Sequence, residues 1–358
     1  MANVLNFLNT VFVKGFWETF CVKWFWETFC IQWVRIGFCK NFIGKKLKFE
    51  KWKGWLYLFP ALVLLLIFTV WPIFNTVRMA FIVDYDGLSA MGGREFEVGF
   101  GNFVNVIAYG ADFITCLQNT LLLTVLTVPL STIIALLIAV ALHSIKPLQR
   151  FLQTVFFLPY VTNSIAIGMV FAAMFQMSGS RFGTARPNID SIGIVNMMLG
   201  WFGLDPINWM NSGSSYVANI AVMTIYIVWN ALPFKILILL GGLQGINKQY
   251  YEAAKVDGTP RWRVFTKITV PLLSPMLAYV VITGFIGGFK EYSSIVGVFG
   301  ENMGPPGAYG SLDTMVGYIY TNLTNNQGRA SAAALILFGI IFVVTMLNMY
   351  VSKKKTHY

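Results

Sequence analysis

Residues able to perform nucleophilic or metal-dependent chemistry are scarce in this sequence. Its 358 residues include two histidines, His143 and His357, and four cysteines, none of which forms a CxxC pair. Zinc sites and disulfide frameworks need several such residues at characteristic spacings. The sequence also contains no GxxxxGKS or GxxxxGKT motif, the loop that holds nucleotide phosphates. We therefore expect this chain to be neither an enzyme nor a metal-binding protein.

The most informative spacing lies near position 250, where Glu252-Ala253-Ala254 is followed by Gly258. Residues 247–257 are expected to form a short helix, and Gly258 suits the left-handed conformation that ends one. Thr259 would then be the N-cap and Pro260 the first residue of a second helix. The two alanines leave a shallow surface on which another protein could pack. This segment therefore predicts a helix–glycine–helix elbow, with an ordinary amphipathic loop helix as the alternative.

The composition shows what surrounds this elbow. Hydrophobic residues make up 56% of the chain and charged residues 11%, whereas a soluble chain carries about 25% charged residues. So few charges do not cover a soluble surface of this size. An ordinary soluble enzyme, a disordered chain and a coiled coil are excluded, and the apolar surface must face lipid.

Six apolar runs approach or exceed the length of about 20 residues that a bilayer span needs. They are Trp55–Val77, Phe113–Leu142, Phe151–Met177, Ser214–Leu243, Leu272–Phe289 and Ala330–Ser352. The first three contain no charged residue at all. We predict an all-α polytopic membrane protein with six transmembrane helices, whose transmembrane domain covers residues 55–352.

The loop charges predict the orientation of these helices. The net charge is +11. Lys and Arg are concentrated before the first run, between the second and third runs, between the fourth and fifth runs, and at the C-terminus. The loop between the first and second runs is acidic. Because cytoplasmic loops collect Lys and Arg, both termini are expected in the cytoplasm, as an even number of spans requires.

Two terminal segments lie outside the predicted membrane domain. Residues 1–54 are basic and rich in Trp, and Phe16–Trp24 is followed at once by a near copy, Phe25–Trp33. Lys and Glu within the copies would be costly in lipid, so a cytoplasmic or interfacial extension is expected rather than a seventh span. A tandem duplication in a dispensable extension explains the repeat equally well. Residues 353–358 are expected to form a cytoplasmic tail.

The elbow resembles the EAA loop of ABC importer permeases, which here would occupy about residues 244–271. The matching residues are Glu252, Ala253, Ala254, Gly258, Ile268 and Pro271, with Val270 in place of the usual Leu. Further similarity to the family lies at Phe100–Phe103, Asn119-Thr120, Phe156–Pro159, Trp229, Pro233 and Leu243-Gln244. The pattern covers about residues 52–352 and is similar to the carbohydrate-type permeases, close to those of maltose and glycerol-phosphate importers.

This resemblance implies the type I ABC importer permease fold and a multi-pass protein of the bacterial cytoplasmic membrane. It implies four partners: a second homologous permease subunit, two ATPase subunits and an extracellular or periplasmic solute-binding protein. ATP and Mg would be bound by the ATPase subunits, and no cofactor and no nucleic acid by this chain. The residues expected to couple to the ATPase are Glu252, Ala253, Ala254, Asp257 and Gly258.

Candidate substrate contacts lie in the fourth and fifth runs. Sugars are held by aromatic faces and by polar groups that replace water, and Asn230 and Phe234 are one helical turn apart. The resemblance assigns Asn230, Phe234 and Glu291 to the substrate pathway. Trp229 and Tyr292, which adjoin them, are predicted to belong to it as well.

Other roles for residues in these runs stay open. Trp229 could serve helix packing, and Lys290 could form a local ion pair with Glu291 at the membrane boundary. Lys235 is expected to extend its ammonium group to the cytoplasmic surface, as long basic side chains near helix ends do.

The predicted function is that of a membrane permease subunit which forms half of the pathway of an ATP-driven sugar or oligosaccharide importer. The alternative is the same machine for glycerol phosphate or a polyol. Basic residues lining the cavity would favour a phosphate ester, and only Lys290 stands out as one. An ion-coupled secondary transporter would need intramembrane carboxylates or inverted repeats, and the predicted spans are nearly free of charge.

Overall fold

The computed structural model describes residues 50–87, 95–108, 110–145, 149–176 and 193–355. Within these ranges the chain is helical, and its β pairing is limited to an isolated antiparallel bridge between Ile82 and Val98. The predicted repeat extension before residue 50 lies outside the described residues. The chain divides after Ile73 into two compact units.

The first unit contains the start of the first span. Helix α1 (Glu50–Leu65) continues through a π-helical turn (Leu66–Val70) into α2 (Trp71–Ala80). Its uncharged stretch is long and apolar enough to cross a membrane. The second unit begins within α2, at Phe74.

The second unit contains the remaining helices. They are α3 (Gly101–Ala108), α4 (Ala111–Ser144), α5 (Gln149–Val161), α6 (Ser164–Phe175), α7 (Ile194–Trp201), α8 (Tyr216–Gln244), α9 (Lys248–Val256), α10 (Arg261–Val264), α11 (Val270–Leu272), α12 (Ser274–Phe289), α13 (Ser293–Phe299), α14 (Met315–Leu323) and α15 (Gln327–Lys355). A π-helical turn (Phe265–Thr269) joins α10 to α11.

The prediction of six spans agrees with the structure, although two of the spans are bent. Within the described residues, four helices are long and apolar enough to span a membrane, and two bent pairs raise the number to six if each pair is one span. The pair α5–α6 bends by 104° and the pair Arg261–Leu272 with α12 by 68°. A simple apolar run does not reveal these bends.

The bend between α5 and α6 has a local cause. The side chain of Asn163 accepts a hydrogen bond from the Ile165 backbone N–H at 2.8 Å, which caps the first turn of α6. Pro159 inside α5 lacks an N–H and weakens the helix just before its end. The third span therefore consists of two short helices separated by a break at residues 162–163.

Among the described residues, the core of the second unit contains three buried clusters, two of which lie along the neighbouring helices α4 and α8. One cluster lies at the end that carries α9 and includes Ala135, Leu239, Leu243 and Leu273. The other lies at the opposite end and includes Leu123, Met223, Tyr226, Ile295 and Val298. The residues of α4 and α8 between the two clusters are more polar, and they form the candidate site.

The loop between α13 and α14 is anchored to α4 by the buried side chain of Asn119. Its amide nitrogen donates to the carbonyl oxygens of Ser311 and Asp313, both at 2.9 Å. Its oxygen accepts from the Tyr216 hydroxyl at 2.6 Å. Because buried polar groups must be paired, these bonds fix the loop over the end of the bundle opposite α9.

Candidate translocation cavity and coupling elbow

A cavity of about 270 Å³ lies near the midpoints of α4 and α8 and reaches α12. Helix α4 contributes Thr127, Val128 and Ser131, and α8 contributes Ile227, Asn230, Ala231, Phe234 and Lys235. The remaining lining residues are Tyr160, Thr283, Gly284, Gly287, Gly288 and Glu291. Substrate sites of transporters commonly lie near the bilayer midplane, where long helices converge.

Three of the predicted pathway residues, Asn230, Phe234 and Glu291, line this cavity. The ring of Phe234 stacks on that of Tyr160, with centroids 5.9 Å apart and planes at 19°. The Asn230 amide nitrogen is 3.5 Å from the Ser164 hydroxyl, at the outer limit for a hydrogen bond. The cavity thus combines an aromatic wall with an amide that retains hydrogen-bonding capacity.

The two other predicted pathway residues lie apart from this cavity. The indole ring of Trp229 contacts the Phe171 ring of α6, with centroids 5.1 Å apart. The ring of Tyr292 stacks on Tyr320 of α14, with centroids 4.6 Å apart. Trp229 therefore joins α8 to α6, in agreement with the packing alternative, and a substrate role for either residue remains a prediction.

Glu291 lines the cavity and also forms hydrogen bonds to the neighbouring chain segments. Its carboxylate accepts the Ser294 N–H at 3.1 Å, at the start of α13. Its backbone carbonyl accepts the Thr314 hydroxyl at 2.8 Å. These bonds connect one wall of the cavity to the anchored loop before α14.

The charged groups near the cavity do not pair as the sequence suggested. Among the described residues, the ion pair that the structure contains joins Arg329 to Asp84 at 3.5 Å. The ion pair between Lys290 and Glu291 is therefore not formed, and Lys290 is exposed. The same part of the chain also contains no group of three or more His, Cys, Asp or Glu that could hold a metal ion.

Lys235 does not reach the membrane surface, so that expectation is wrong. Its side chain is 5% exposed, and its ammonium donates to the Ser131 hydroxyl at 2.6 Å, to the Thr132 hydroxyl at 3.0 Å and to the Val128 carbonyl at 3.2 Å. The reason is that α4 supplies three acceptors at the level of the cavity. The sequence of α8 alone gives no sign of them.

The elbow forms as the sequence predicts, with a shift of one residue. Helix α9 begins after Asn247, whose side chain accepts the Gln249 N–H at 3.0 Å. It ends at Val256, and the chain turns at Gly258, which has φ +64°, while the Thr259 N–H donates to the Ala254 carbonyl at 2.9 Å. The N-cap of α10 is Pro260 rather than Thr259. Pro260 itself is extended, with ψ 146°, so the helix starts one residue later.

The elbow presents only part of the predicted docking surface. Glu252, Ala253 and Asp257 are exposed, whereas Ala254 is buried against the chain itself. Two apolar residues that the motif does not include, Val256 and Trp262, are 88% and 72% exposed. In the sequence, both stand out as apolar residues within a strongly charged segment, and this pattern could have identified them. Single exposed apolar side chains are common on protein surfaces, so a contact role for these two belongs to the proposed function.

Similarity to known proteins identifies the family of this chain. Residues 127–357 match the model of the binding-protein-dependent transport system inner membrane component. The chain belongs to this family. The matched region includes the cavity, the elbow and the last span, so the site described above lies in the part of the chain that defines the family.

Individual relatives support this assignment. The chain is 32% identical to the arabinooligosaccharides transport system permease protein AraP of Halalkalibacterium halodurans, over 71% of this chain and 75% of that protein. It is 29% identical to the lactose transport system permease protein LacF of Rhizobium radiobacter, over 82% and 91%. The fold is similar to that of a bacterial ABC transporter involved in alginate import, with a TM-score of 0.68, 22% identity, and coverage of 86% of this chain and 97% of that one.

Membership in this family defines the role of the chain. It is the membrane-spanning permease subunit of an ABC importer and not its ATPase. ATP hydrolysis takes place in separate subunits. The apolar spans and the midpoint cavity are the parts of this chain that a transport subunit requires.

Proposed function

We propose that this permease forms half of the pathway for a sugar or oligosaccharide that an external solute-binding protein delivers. The observation that carries the proposal is the cavity at the midpoint of α4 and α8, where Phe234 and Tyr160 form an aromatic wall beside the Asn230 amide. Aromatic faces and amides are the groups that hold sugars. Relatives named for lactose and for arabinooligosaccharides support the same substrate class.

The proposed assembly contains a second homologous permease, two ATPase subunits that bind ATP and Mg, and the solute-binding protein. The elbow is the proposed contact with one ATPase, through Glu252, Ala253, Asp257 and the exposed apolar side chains of Val256 and Trp262. Gly258 sets the turn, and Ala254 supports α9 from within. No cofactor is assigned to this chain.

The proposed orientation places the elbow and both termini in the cytoplasm of a bacterium. Basic residues cluster at the elbow, and Lys353-Lys354-Lys355 ends α15. Acidic residues such as Glu95 and Glu97 lie in the loop after the first span. This distribution follows the positive-inside rule.

Import of glycerol phosphate is the second candidate, because Lys235 lines the cavity and a cation there could attract a phosphate. An ammonium has three N–H donors, and the three of Lys235 are taken up by the acceptors of α4. No donor remains for an anionic ligand, so the arrangement favours a neutral sugar.

Transport by the complete reconstituted importer tests the proposal. Proteoliposomes containing this chain, the second permease, the ATPases and the binding protein encoded beside it would be offered lactose, maltose, arabino-oligosaccharides and glycerol 3-phosphate. We expect ATP-dependent uptake of at least one of the sugars. Uptake of glycerol 3-phosphate alone, or sugar uptake that follows an ion gradient without ATP, would contradict the proposal.

A further inference from the structure

Lys235 is a buried cation at the level of the translocation cavity, and the role of a transport subunit does not by itself explain it. A lysine within a membrane span is costly unless it is paired, and such residues are usually functional. Among the described residues, no carboxylate lies within ion-pair distance of its ammonium. Neutral acceptors of α4 hold it instead, across more than one hundred residues of sequence.

The place where Lys235 contacts α4 is a weak point of that helix. Val128, Ser131 and Thr132 surround Pro129, which lies inside α4. A proline removes one backbone hydrogen bond and tends to kink a helix. A side chain from α8 that bonds to this turn therefore restrains α4 where its own backbone restrains it least.

A third helix meets the same contact. A Cβ atom at Gly284 of α12 would lie 3.0 Å from Val128 Cγ1 and 3.3 Å from the Lys235 ammonium. The absence of a side chain at Gly284 therefore allows α12 to approach the bonded pair of α4 and α8. Three of the helices that line the cavity, α4, α8 and α12, therefore meet at the Lys235 contact.

We propose that Lys235 is a positioning residue for the transported sugar, which sets the separation of α4 and α8 and thereby places Asn230 and Phe234 at the cavity. The ammonium contacts α4 rather than the sugar, because all its donors are used. This inference rests on the proposed function for the identity of the ligand, whereas the contact between α4 and α8 is independent of the proposed function.

Replacement of Lys235 by Met tests the proposal in the reconstituted importer. Met keeps an unbranched side chain of similar length, and the Ser131 and Thr132 hydroxyls still have α4 carbonyl acceptors, at 2.5 and 2.7 Å. Lys290→Met is the matched control, since it removes an exposed cation at the end of α12. We expect Lys235→Met to raise the KM for whichever sugar of the panel above is transported by about fivefold or more, with the maximal rate changed less than about twofold. Lys290→Met should leave both values unchanged.

A double-mutant cycle with Ser131→Ala shows whether the effect passes through α4. We expect Ser131→Ala to raise the KM as well. The KM of the double variant should equal that of Lys235→Met alone, because both changes remove the same contact. Additive effects, or a KM of Lys235→Met equal to that of Lys290→Met, would overturn the proposal. If Lys235→Met does not reach the membrane, Thr132→Ala provides the KM test, because Thr132 accepts a bond from Lys235 and does not line the cavity.

Hydrogen–deuterium exchange separates this proposal from the proposed function. In the assembled importer without sugar, Lys235→Met should increase exchange in the α4 segment around Pro129, and Lys290→Met should not. Increased exchange in an importer that transports no sugar would contradict the proposed substrate class, but it would still support the contact between Lys235 and α4. Unchanged exchange would overturn the positioning role whatever the substrate.

Discussion

Substitution of Asn230 gives the most direct test of the proposed transport function. It lies in the middle of a membrane span, lines the cavity, and has one side-chain partner, the Ser164 hydroxyl, at the 3.5 Å limit. An amide has two donors and two acceptor lone pairs. The Asn230 side chain therefore retains capacity to hydrogen-bond a sugar hydroxyl.

Asn230→Ala should weaken the apparent affinity for the transported sugar. Loss of one partner in a buried polar contact costs roughly 1–3 kcal/mol, which is about a five- to hundredfold rise in KM. Uptake kinetics in proteoliposomes measure it. Asn348→Ala is the control, because Asn348 bonds within α15 to the Val344 carbonyl and does not line the cavity. Equal KM values for the wild type and Asn230→Ala would instead favour a helix-packing role.

Gly258 has a conformational role that can be separated from steric effects. Its φ is +64°, and a Cβ atom at this position would meet nothing within 4 Å. The left-handed conformation costs an L-residue about 1–2 kcal/mol, and β-branched residues resist it most. Within this chain, a substitution therefore acts through the backbone of the elbow and not through a clash.

Gly258→Val should impair coupling to the ATPase while the permease still reaches the membrane. The native turn would be about five- to thirtyfold less populated, so sugar-stimulated ATPase activity should fall. Gly258→Asn is the matched control, since Asn adopts the left-handed region more readily. Equal stimulation in the Val and Asn variants would count against the elbow as the coupling contact.

At the scale of elements, helices α6 and α13 cross at Gly168 and Gly297. A Cβ atom at Gly168 would lie 2.7 Å from the Gly297 Cα, so the two backbones are in direct contact. Small residues allow such close approach of helices in membranes. The α6 half of the bent third span is held by this crossing.

Gly168→Ala should therefore lower the stability of the protein, whereas Gly339→Ala should not. The methyl group at 168 would collide with the Gly297 backbone, and overpacking of this kind costs about 1–3 kcal/mol. Gly339 in α15 has open space at the Cβ position, and Ala is favoured over Gly in a helix by about 1 kcal/mol. The apparent Tm of the purified importer should fall in the first variant and rise or stay level in the second. A fall in both would mean that the crossing is not the cause.

At the scale of the whole molecule, the elbow and the loop between α13 and α14 lie at opposite ends of α8. The first is basic and carries exposed apolar side chains, and the second is fixed by Asn119. This polarity fits a subunit that contacts ATPases on one side of the membrane and a binding protein on the other.

Cysteine labelling tests the orientation. In a variant that lacks the four native cysteines, single cysteines at Glu97 and at Lys255 should react with a membrane-impermeant maleimide from opposite sides. We expect Glu97→Cys to react in intact cells stripped of any outer layer, and Lys255→Cys only after the membrane is opened. Reaction of both from the outside would contradict the topology.

The sequence by itself determined the membrane class, the six spans and the elbow. Span recognition needs only the sum of apolar transfer free energies along a run. The elbow needs only the left-handed preference of Gly258 next to a short helix. Both are local properties, so they can be derived before any packing is known.

Only the tertiary structure decided how the local elements are used. The acceptors of Lys235 lie on α4, and the Ser131 hydroxyl is 104 residues away in sequence. The burial of Ala254, the pairing of Trp229 with Phe171 and the bond from the Thr314 hydroxyl to the Glu291 carbonyl likewise depend on where another element lies. A buried polar group takes the partner that the fold brings within hydrogen-bond distance, and the sequence of its own helix does not contain that information.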